Sequence, residues 1–208
     1  MTDSRSGHPV IGVLALQGDV REHLAVLESL GVATVPVRRP AELDAVDGLI
    51  LPGGESTTID KLLRVFGLFD PLRAKIRSGF PVLGTCAGMI LLADSIVGGT
   101  HDQRTLGGLP VTVRRNAFGR QVESSEVTIT WLPDGKPLSA TLIRAPWVEA
   151  AADGVEVLAT DGGHGGRVVA VRHGNLVATA FHPEIAGESR VHRYFVDIVL
   201  AHAGQDRG

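Results

Sequence analysis

One stretch of the chain carries the residue types of a covalent hydrolase. Cys86, the only cysteine among 208 residues, stands between Gly84 and Gly88 and follows the apolar run 81–83. Gly-x-Cys-x-Gly between a strand and a helix is typical of a nucleophile elbow, a sharp turn that exposes the central side chain. The sulfur then lies over the first N–H groups of the helix, which favour a thiolate. The sequence predicts a catalytic nucleophile at Cys86; the alternative is a small buried apolar residue.

A histidine and a glutamate two positions apart could complete a catalytic triad. They stand in His182-Pro183-Glu184, after an apolar segment. Side chains two apart in extended backbone project from the same face, and the proline stiffens this geometry. A carboxylate against one imidazole nitrogen fixes the tautomer, while the other nitrogen serves the nucleophile. We therefore expect His182 and Glu184 to act with Cys86.

The other seven histidines offer no comparable pair. His23, His192 and His202 fall on predicted helices, and the rest stand in turns or in the N-terminal tail. None has an acidic residue at a spacing that would hold its ring. No His/Cys spacing suits zinc either, so we expect no metal site.

A glycine-containing loop at 52–58 follows a predicted strand. Its hydroxyl residues at 56–57 can cap a helix predicted to begin near Ile59. A phosphate-binding loop is poorly supported, because no lysine follows in Walker spacing. A simple turn with a helix cap would account for the sequence. If the loop lies at the same sheet edge as the cysteine, Gly54 could instead donate its N–H to an oxyanion, beside the N–H of Ala87.

Alternating strands and helices in the first half predict the frame that holds these loops. Asp19 can cap a helix that ends at Gly31. Strand, helix and strand in this rhythm indicate parallel pairing with right-handed crossovers. We predict an α/β fold with a doubly wound, mostly parallel sheet and helices on both faces. The strands predicted in this half span 10–16, 32–37 and 46–51, and a further one leads into the cysteine.

Short alternating segments in the second half indicate further strands, several of them antiparallel hairpins attached to the main sheet. A final helix is predicted at 189–203. An arginine-rich loop at 114–121 is open to two interpretations, a solvated loop or a clamp for a carboxylate. The strands predicted here span 109–114, 122–131, 141–144, 155–160, 167–172 and 176–180.

Composition narrows the class of protein. Hydrophobic residues make up 44% of the chain and charged residues 21%, with a net charge of −3. This is an ordinary globular mixture without a basic surface, so nucleic acid and membranes are not expected partners. A single cysteine suits a reducing compartment, and no apolar run is long enough to cross a bilayer. We expect a cytoplasmic protein with a flexible N-terminus at 1–9, one domain at 10–203 and a flexible C-terminus at 204–208.

Taken together, the two triad motifs and four further stretches resemble a known family. Gly84-Thr85-Cys86-Ala87-Gly88 and His182-Pro183-Glu184 are similar to the Cys-His-Glu triad of the class I (triad) glutamine amidotransferases. Within that class the chain most resembles the glutaminase subunits of pyridoxal 5′-phosphate synthase, the PdxT/SNO family. The resemblance covers nearly the whole chain after residue 9. The further stretches are 16–23, 51–58, 115–121 and 143–146.

The resemblance implies an activity, a partner and a substrate site. It implies hydrolysis of L-glutamine to glutamate and ammonia without a cofactor, and delivery of the ammonia to the synthase subunit that makes pyridoxal 5′-phosphate. A hetero-oligomer with that subunit is therefore expected. Carried over by motif, the triad is Cys86, His182 and Glu184. The positions that match glutamine-contacting residues of the family are Gly54, Glu55, Ser56, Arg115, Ile143 and Arg144.

Two other functions remain compatible with the same motifs. A stand-alone γ-glutamyl hydrolase would use the same triad and need no partner. A redox-sensing or chaperone-like protein would oxidise the elbow cysteine instead of acylating it, although the His-Pro-Glu stretch is not needed for that purpose.

Overall fold

In the computed structural model, which describes residues 9–115, 125–142, 144–162 and 166–205, strands and helices are mixed in the first half of the chain, and eight consecutive strands dominate the second half. In the first half the elements are β1 (Val10–Leu14), α1 (Val20–Ser29), β2 (Ala33–Val37), α2 (Pro40–Leu43), β3 (Gly48–Leu51), α3 (Ser56–Val65), α4 (Phe69–Arg77), β4 (Val82–Thr85) and α5 (Ala87–Leu92). In the second half they are β5 (Ala93–Val97), β6 (Leu109–Arg114), β7 (Ser125–Trp131), β8 (Lys136–Leu142), β9 (Trp147–Ala151), β10 (Glu156–Asp161), β11 (Arg167–His173), β12 (Leu176–Thr179) and α6 (Arg190–Gln205).

Ten strands form one mixed sheet in the order β2-β1-β3-β4-β12-β11-β9-β6-β5, with β10 also paired to β11. The strands from β2 to β12 in this order run parallel to one another, and β5 runs parallel to β6. The pairs β12–β11, β11–β9, β11–β10 and β9–β6 are antiparallel. The predicted class, a mostly parallel α/β sheet with added antiparallel strands, is confirmed.

The register of the central strands decides where the functional loops meet. Leu51 at the end of β3 pairs with Gly84 of β4, and Thr85 of β4 pairs with Thr179 of β12. When neighbouring parallel strands end at paired residues, the segments that follow them lie at the same edge of the sheet. The loop after β3, the turn at Cys86 and the segment leading to His182 are therefore neighbours, and β1 beside β3 adds its own loop.

The central strands are apolar because both of their faces are covered. Every residue of β3, β4 and β12 is buried, as expected for parallel strands between helical layers. Helix α5 is also buried along its whole length. The turn at Cys86 thus leads directly into a buried helix, and this packing holds the turn rigid.

Several element boundaries differ from the sequence predictions. Strand β1 ends at Leu14 and not at 16, and α6 continues to Gln205, two residues beyond its predicted end. Strand β8 was expected at 141–144 but spans 136–142. Helices α2 and α4 and strands β5 and β9 were not predicted.

The β7–β8 hairpin forms a separate two-stranded sheet, whereas the hairpins were expected to join the main sheet. It is tied to the main sheet by a hydrogen bond from the Leu132 N–H to the Leu158 carbonyl (2.9 Å). Residues 122–124 of the strand predicted at 122–131 lie outside the described residues. In the described part of the chain, no helix has the length and apolar character to span a membrane.

Candidate active site

Cys86 occupies a strained turn between β4 and α5. Its φ is +47° and its ψ is −98°, a conformation that residues other than glycine rarely adopt. The Cys86 N–H donates to the Thr179 carbonyl (2.8 Å), which ties the turn to the neighbouring strand. The side chain is 8% exposed. This is the geometry of the predicted nucleophile elbow, with the thiol at the N-terminus of a buried helix.

The two flanking glycines allow the backbone around the elbow to pack at close range. A Cβ at Gly84 would lie 2.5 Å from the carbonyl carbon of Gly88. A Cβ at Gly88 would collide with the carbonyl oxygen of Leu51 in β3. Strand β4, helix α5 and strand β3 therefore interlock through backbone atoms.

His182 and Glu184 follow β12 at the same edge of the sheet. The His182 N–H donates to the Thr141 carbonyl (3.1 Å), which fixes the backbone that carries the ring. His182 Nδ1 lies 2.8 Å from Glu184 Oε1, and His182 lines the same pocket as Cys86. The structure thus brings the three predicted triad residues together. The Glu184 side chain is fully buried behind the ring.

A second carboxylate, which the sequence interpretation missed, also meets the triad histidine. Asp19 Oδ2 lies 3.2 Å from His182 Nδ1. The prediction that Asp19 caps α1 was wrong in its detail, since the residue stands at the N-cap but its side chain makes no capping hydrogen bond. Two carboxylates therefore converge on one ring nitrogen.

These contacts set the charge on the histidine. Burial would lower the pKa of His182, but hydrogen bonds to Asp19, Cys86 and Glu184 raise it to about 12. Burial raises the pKa of Glu184, and its hydrogen bond to His182 opposes this shift. The arrangement favours an imidazolium beside a carboxylate, which holds a proton ready for a leaving group.

The same cluster could in principle offer ligands to a metal. Asp19, His182 and Glu184 have ligand atoms within 4.8 Å of one another. Both carboxylates, however, lie at hydrogen-bonding distances from the same ring nitrogen, Nδ1. We interpret them as acceptors for the ring N–H and not as a metal site.

The Gly53–Gly54 peptide lies beside this cluster. The Gly53 carbonyl accepts a hydrogen bond from the Asp19 N–H (3.3 Å), so the Gly54 N–H at the other side of the peptide points away from Asp19. Gly54 has φ +148°, and a Cβ there would lie 2.5 Å from Gln17 Oε1. Among the described residues, no acceptor binds the Gly54 N–H or the Ala87 N–H. Both N–H groups remain free to donate to a ligand.

A pocket of about 270 Å³ opens in front of the cysteine. Its lining includes Cys86, His182 and most of the positions matched to glutamine contacts. Ile143 lies outside the described residues, and Ala87 and Glu184 stand behind the lining. Ile90 of α5 was not predicted and forms part of the wall. The full lining is Gly54, Glu55, Ser56, Cys86, Ile90, Arg115, Arg144 and His182.

Two arginines of this lining are held differently. Arg144 is exposed and has φ +44°, a second strained backbone at the pocket. The Arg115 side chain is 11% exposed and donates from Nη2 to Glu55 Oε1 (3.0 Å). It also donates from Nη1 to Gln103 Oε1 (2.6 Å). The neighbouring Arg114 points elsewhere, to Glu149 (2.7 Å). The loop thus contains one pocket-facing and one outward arginine, while 116–121 lie outside the described residues.

Glu55 joins the start of α3 to this arginine. Its Oε2 accepts from the Thr58 N–H (2.8 Å), so Glu55 is the N-cap of α3. The predicted cap at 56–57 was wrong, and the helix begins at Ser56, three residues before the predicted start. Burial would raise the pKa of Glu55, but hydrogen bonds from Thr58 and Thr57 lower it. Glu55 is therefore a carboxylate fixed between the helix and Arg115.

Comparison with known proteins identifies the family. Residues 13–201 match the model of the SNO glutamine amidotransferase family. The chain belongs to this family. It is 64% identical over 193 residues to the pyridoxal 5′-phosphate synthase subunit PdxT of a Nocardioides species, and the match covers 92% of this chain and 96% of that protein. The resemblance noted in the sequence is thereby confirmed.

Solved structures share the fold. A crystal structure of a glutamine amidotransferase has a TM-score of 0.84 and 46% identity, over 91% of this chain and 98% of that chain. The structure of PurLQS from Thermotoga maritima has a TM-score of 0.66, over 91% of this chain and 98% of that one. At 18% identity, the second likeness supports the fold alone.

In this SNO family member the site has the parts of an acyl-transfer centre. Cys86 and His182 line one pocket, and Glu184 contacts His182 from behind the lining. Gly54 of the lining and Ala87, which follows Cys86, have N–H groups without an acceptor among the described residues. The sequence interpretation missed Asp19, Gln103 and Ile90, whose positions depend on loops that meet only in the folded chain. It also gave His23 no acidic partner, yet His23 Nε2 lies 3.5 Å from Glu184 Oε1.

Proposed function

We propose that this chain is the glutaminase subunit of a pyridoxal 5′-phosphate synthase. It hydrolyses L-glutamine to glutamate and ammonia and passes the ammonia to the synthase subunit, with which it forms a hetero-oligomer. The observation that carries the proposal is the strained turn at Cys86, which shares a pocket with the histidine of the His182–Glu184 pair, in a chain 64% identical to a synthase subunit PdxT. The single cysteine suits a reducing compartment, so we place the complex in the cytoplasm.

The first half of the reaction forms a thioester. The Cys86 thiolate attacks the side-chain carboxamide carbon of glutamine, and the Gly54 and Ala87 N–H groups donate to the developing oxyanion. The protonated His182 gives its proton to the departing nitrogen, which leaves as ammonia. Glu184 stabilises the imidazolium before this transfer.

The second half releases glutamate. His182, now neutral, takes a proton from a water molecule as that water attacks the thioester carbon. The C–S bond then breaks, and the sulfur leaves as a thiolate. The imidazolium and thiolate are restored for the next turnover.

Glutamine must be held by its α-carboxylate and α-amino groups. Arg115 and Arg144 supply positive charge at the pocket, and Glu55 supplies negative charge. Ser56, and Ile143 by its match to the family motif, complete the proposed substrate contacts. The fixed pairing of Arg115 with Glu55 supports a site built before the substrate arrives.

The test is glutamate formation from L-glutamine by the purified chain, alone and mixed with its cognate synthase subunit. We expect activity that rises on addition of the synthase subunit and is absent in Cys86→Ala. Mass spectrometry after treatment with a glutamine-analogue electrophile should place the adduct on Cys86. Full activity without the synthase subunit would favour a stand-alone hydrolase, and no Cys86-dependent glutamate formation in the mixture would contradict the proposal.

A further inference from the structure

A second histidine lies behind the triad and is completely buried. His23 stands on α1, and its relative exposure is 0%. Both ring nitrogens have polar neighbours: Nδ1 lies 2.9 Å from His192 Nε2 on α6, and Nε2 lies 3.1 Å from Thr85 Oγ1. The same Nε2 lies 3.5 Å from Glu184 Oε1. His23 therefore connects the first helix, the last helix and the triad carboxylate.

Glu184 needs more support than His182 gives it. The carboxylate is buried, and in the described part of the chain its Oε2 has no hydrogen-bond partner. An ionised carboxylate accepts several hydrogen bonds in water, and burial with few donors favours the protonated form. A protonated Glu184 could no longer stabilise an imidazolium at His182.

We propose that His23 is a positioning residue of the triad, which presents its Nε2–H to Glu184 Oε1 and keeps this oxygen turned toward His182. The inference rests on the proposed glutaminase function. Among the described residues, the triad member that His23 contacts directly is Glu184, so we expect His23 to act through this carboxylate.

The neighbours of the ring decide where its proton lies. A carboxylate only accepts hydrogen bonds, so a bare Nε2 lone pair facing Glu184 would be repelled. With the proton on Nε2, shared between Thr85 Oγ1 and Glu184 Oε1, Nδ1 accepts from the Nε2–H of His192. Burial lowers the pKa of His192 to about 4, and burial followed by repulsion from His192 and His182 lowers that of His23. Both rings are therefore neutral.

The titratable groups around Glu184 are few among the described residues. His182 and Asp19 meet it from the pocket side, with Cys86 beyond His182, while His23 and His192 lie on the other side. Of these groups, His23 is the one that can donate a hydrogen bond to Glu184 from a neutral ring. Its loss should therefore favour the protonated carboxylate.

Two amide substitutions separate the two ring nitrogens. The amide nitrogen of His23→Gln reaches the position of Nε2 and can still donate to Glu184. That of His23→Asn reaches only the position of Nδ1, toward His192. Both variants place a polar amide in the same buried site, so they share any general cost to the fold, which thermal unfolding measures.

The readout is glutamate formation by each variant mixed with the synthase subunit, as a function of pH. We expect His23→Asn to lower kcat roughly tenfold or more, by analogy with lost hydrogen-bond partners of metal-bound histidines, with little change in KM. The acid limb of the kcat–pH profile of His23→Asn should move to higher pH. Removing a hydrogen-bond donor raises the pKa of Glu184, so its carboxylate becomes protonated at a higher pH. His23→Gln should lose much less kcat than His23→Asn and should keep the acid limb of the unsubstituted chain.

The proposal would be overturned if the two variants had equal kcat values and equal acid limbs. It would also be overturned if the loss of kcat in each variant followed its fall in Tm. A second measurement needs no variant: ¹⁵N spectra of histidine-labelled protein should show His23 neutral with its proton on Nε2. A proton on Nδ1, or an imidazolium, would also overturn it. If the unsubstituted mixture forms glutamate in a Cys86-dependent way, the proposed function stands whatever His23 does.

Discussion

Asp19 Oδ2 lies 3.2 Å from His182 Nδ1, the ring nitrogen that Glu184 Oε1 contacts at 2.8 Å. One nitrogen of the triad histidine thus meets two carboxylates, one buried and one partly exposed. Because Asp19 belongs to the loop after β1, the charge of His182 depends on a segment far from it in sequence.

The exposed carboxylate should extend activity to alkaline pH. Asp19→Asn removes one of three partners that raise the pKa of His182 to about 12, so the imidazolium should lose its proton at lower pH. We expect the alkaline limb of kcat, measured with the synthase subunit present, to move to lower pH. Asp44→Asn, which removes an exposed carboxylate paired with Lys75, is the control. If the alkaline limb of Asp19→Asn does not move, Glu184 alone is sufficient to keep His182 protonated.

Backbone strain at the elbow should be visible in stability. A positive φ costs a residue with a Cβ about 1–3 kcal/mol. In ordinary helix or strand backbone the order is reversed, and glycine is less stable than alanine by up to about 1 kcal/mol. We therefore expect Cys86→Gly to melt at or above Cys86→Ala, by roughly 2–4 °C per kcal/mol of difference. Both should be inactive. A higher Tm for the alanine variant would mean that the turn relaxes when the sulfur is removed.

The Gly54 N–H should matter for turnover more than for binding. Gly54→Ala would place a Cβ 2.5 Å from Gln17 Oε1 at φ +148°, so the peptide must move. Loss of one oxyanion donor lowers kcat by about 10²–10³-fold, and glutamine titration should show a smaller change in affinity. Gly31→Ala is the control, since its φ is +73° but open space surrounds it. Gly31→Ala should keep its kcat, so that a fall in kcat of Gly54→Ala is assigned to the pocket and not to positive φ in general.

Two adjacent arginines provide a matched test of substrate binding. Arg115→Lys breaks the two-sided contact with Glu55 and Gln103, while Arg114→Lys changes only the outward pair with Glu149. Hydrogen bonds to charged groups contribute about 1.5–3 kcal/mol, so KM for glutamine should rise roughly 10–100-fold in Arg115→Lys. Arg114→Lys should retain its KM. A similar rise in both would assign the effect to the strand and not to the pocket.

The sequence predicted the triad because each motif is local. The elbow spacing and the His-Pro-Glu spacing are both contained in a few residues, and each follows an apolar strand whose end must lie at the active edge. The class of fold followed from the same strand-and-helix rhythm. Strand β5 was missed because it follows α5 directly, without a turn between them. Strand β9 was missed because it pairs with β6 and β11, neither of which is its neighbour in sequence.

Residues brought in by loops could not be predicted in this way. Asp19 looked like a helix cap, since a carboxylate at that position commonly is one; only the approach of the β1 loop to His182 gives it another partner. Gln103 reaches Arg115 because Asp60 of α3 accepts a hydrogen bond from the Arg104 N–H (3.1 Å) and so anchors the loop. His23 looked like an ordinary helical residue for the same reason.

The backbone interlock of Gly84, Gly88 and Leu51 limits how this protein can diverge. Two positions beside the nucleophile admit only a hydrogen atom, and each is constrained by a different partner. No single compensating exchange can relieve both, because the obstructing atoms belong to the main chain. We therefore expect substitutions to accumulate in the pocket walls and the outer loops. The two elbow glycines should be retained even in descendants that act on a different substrate.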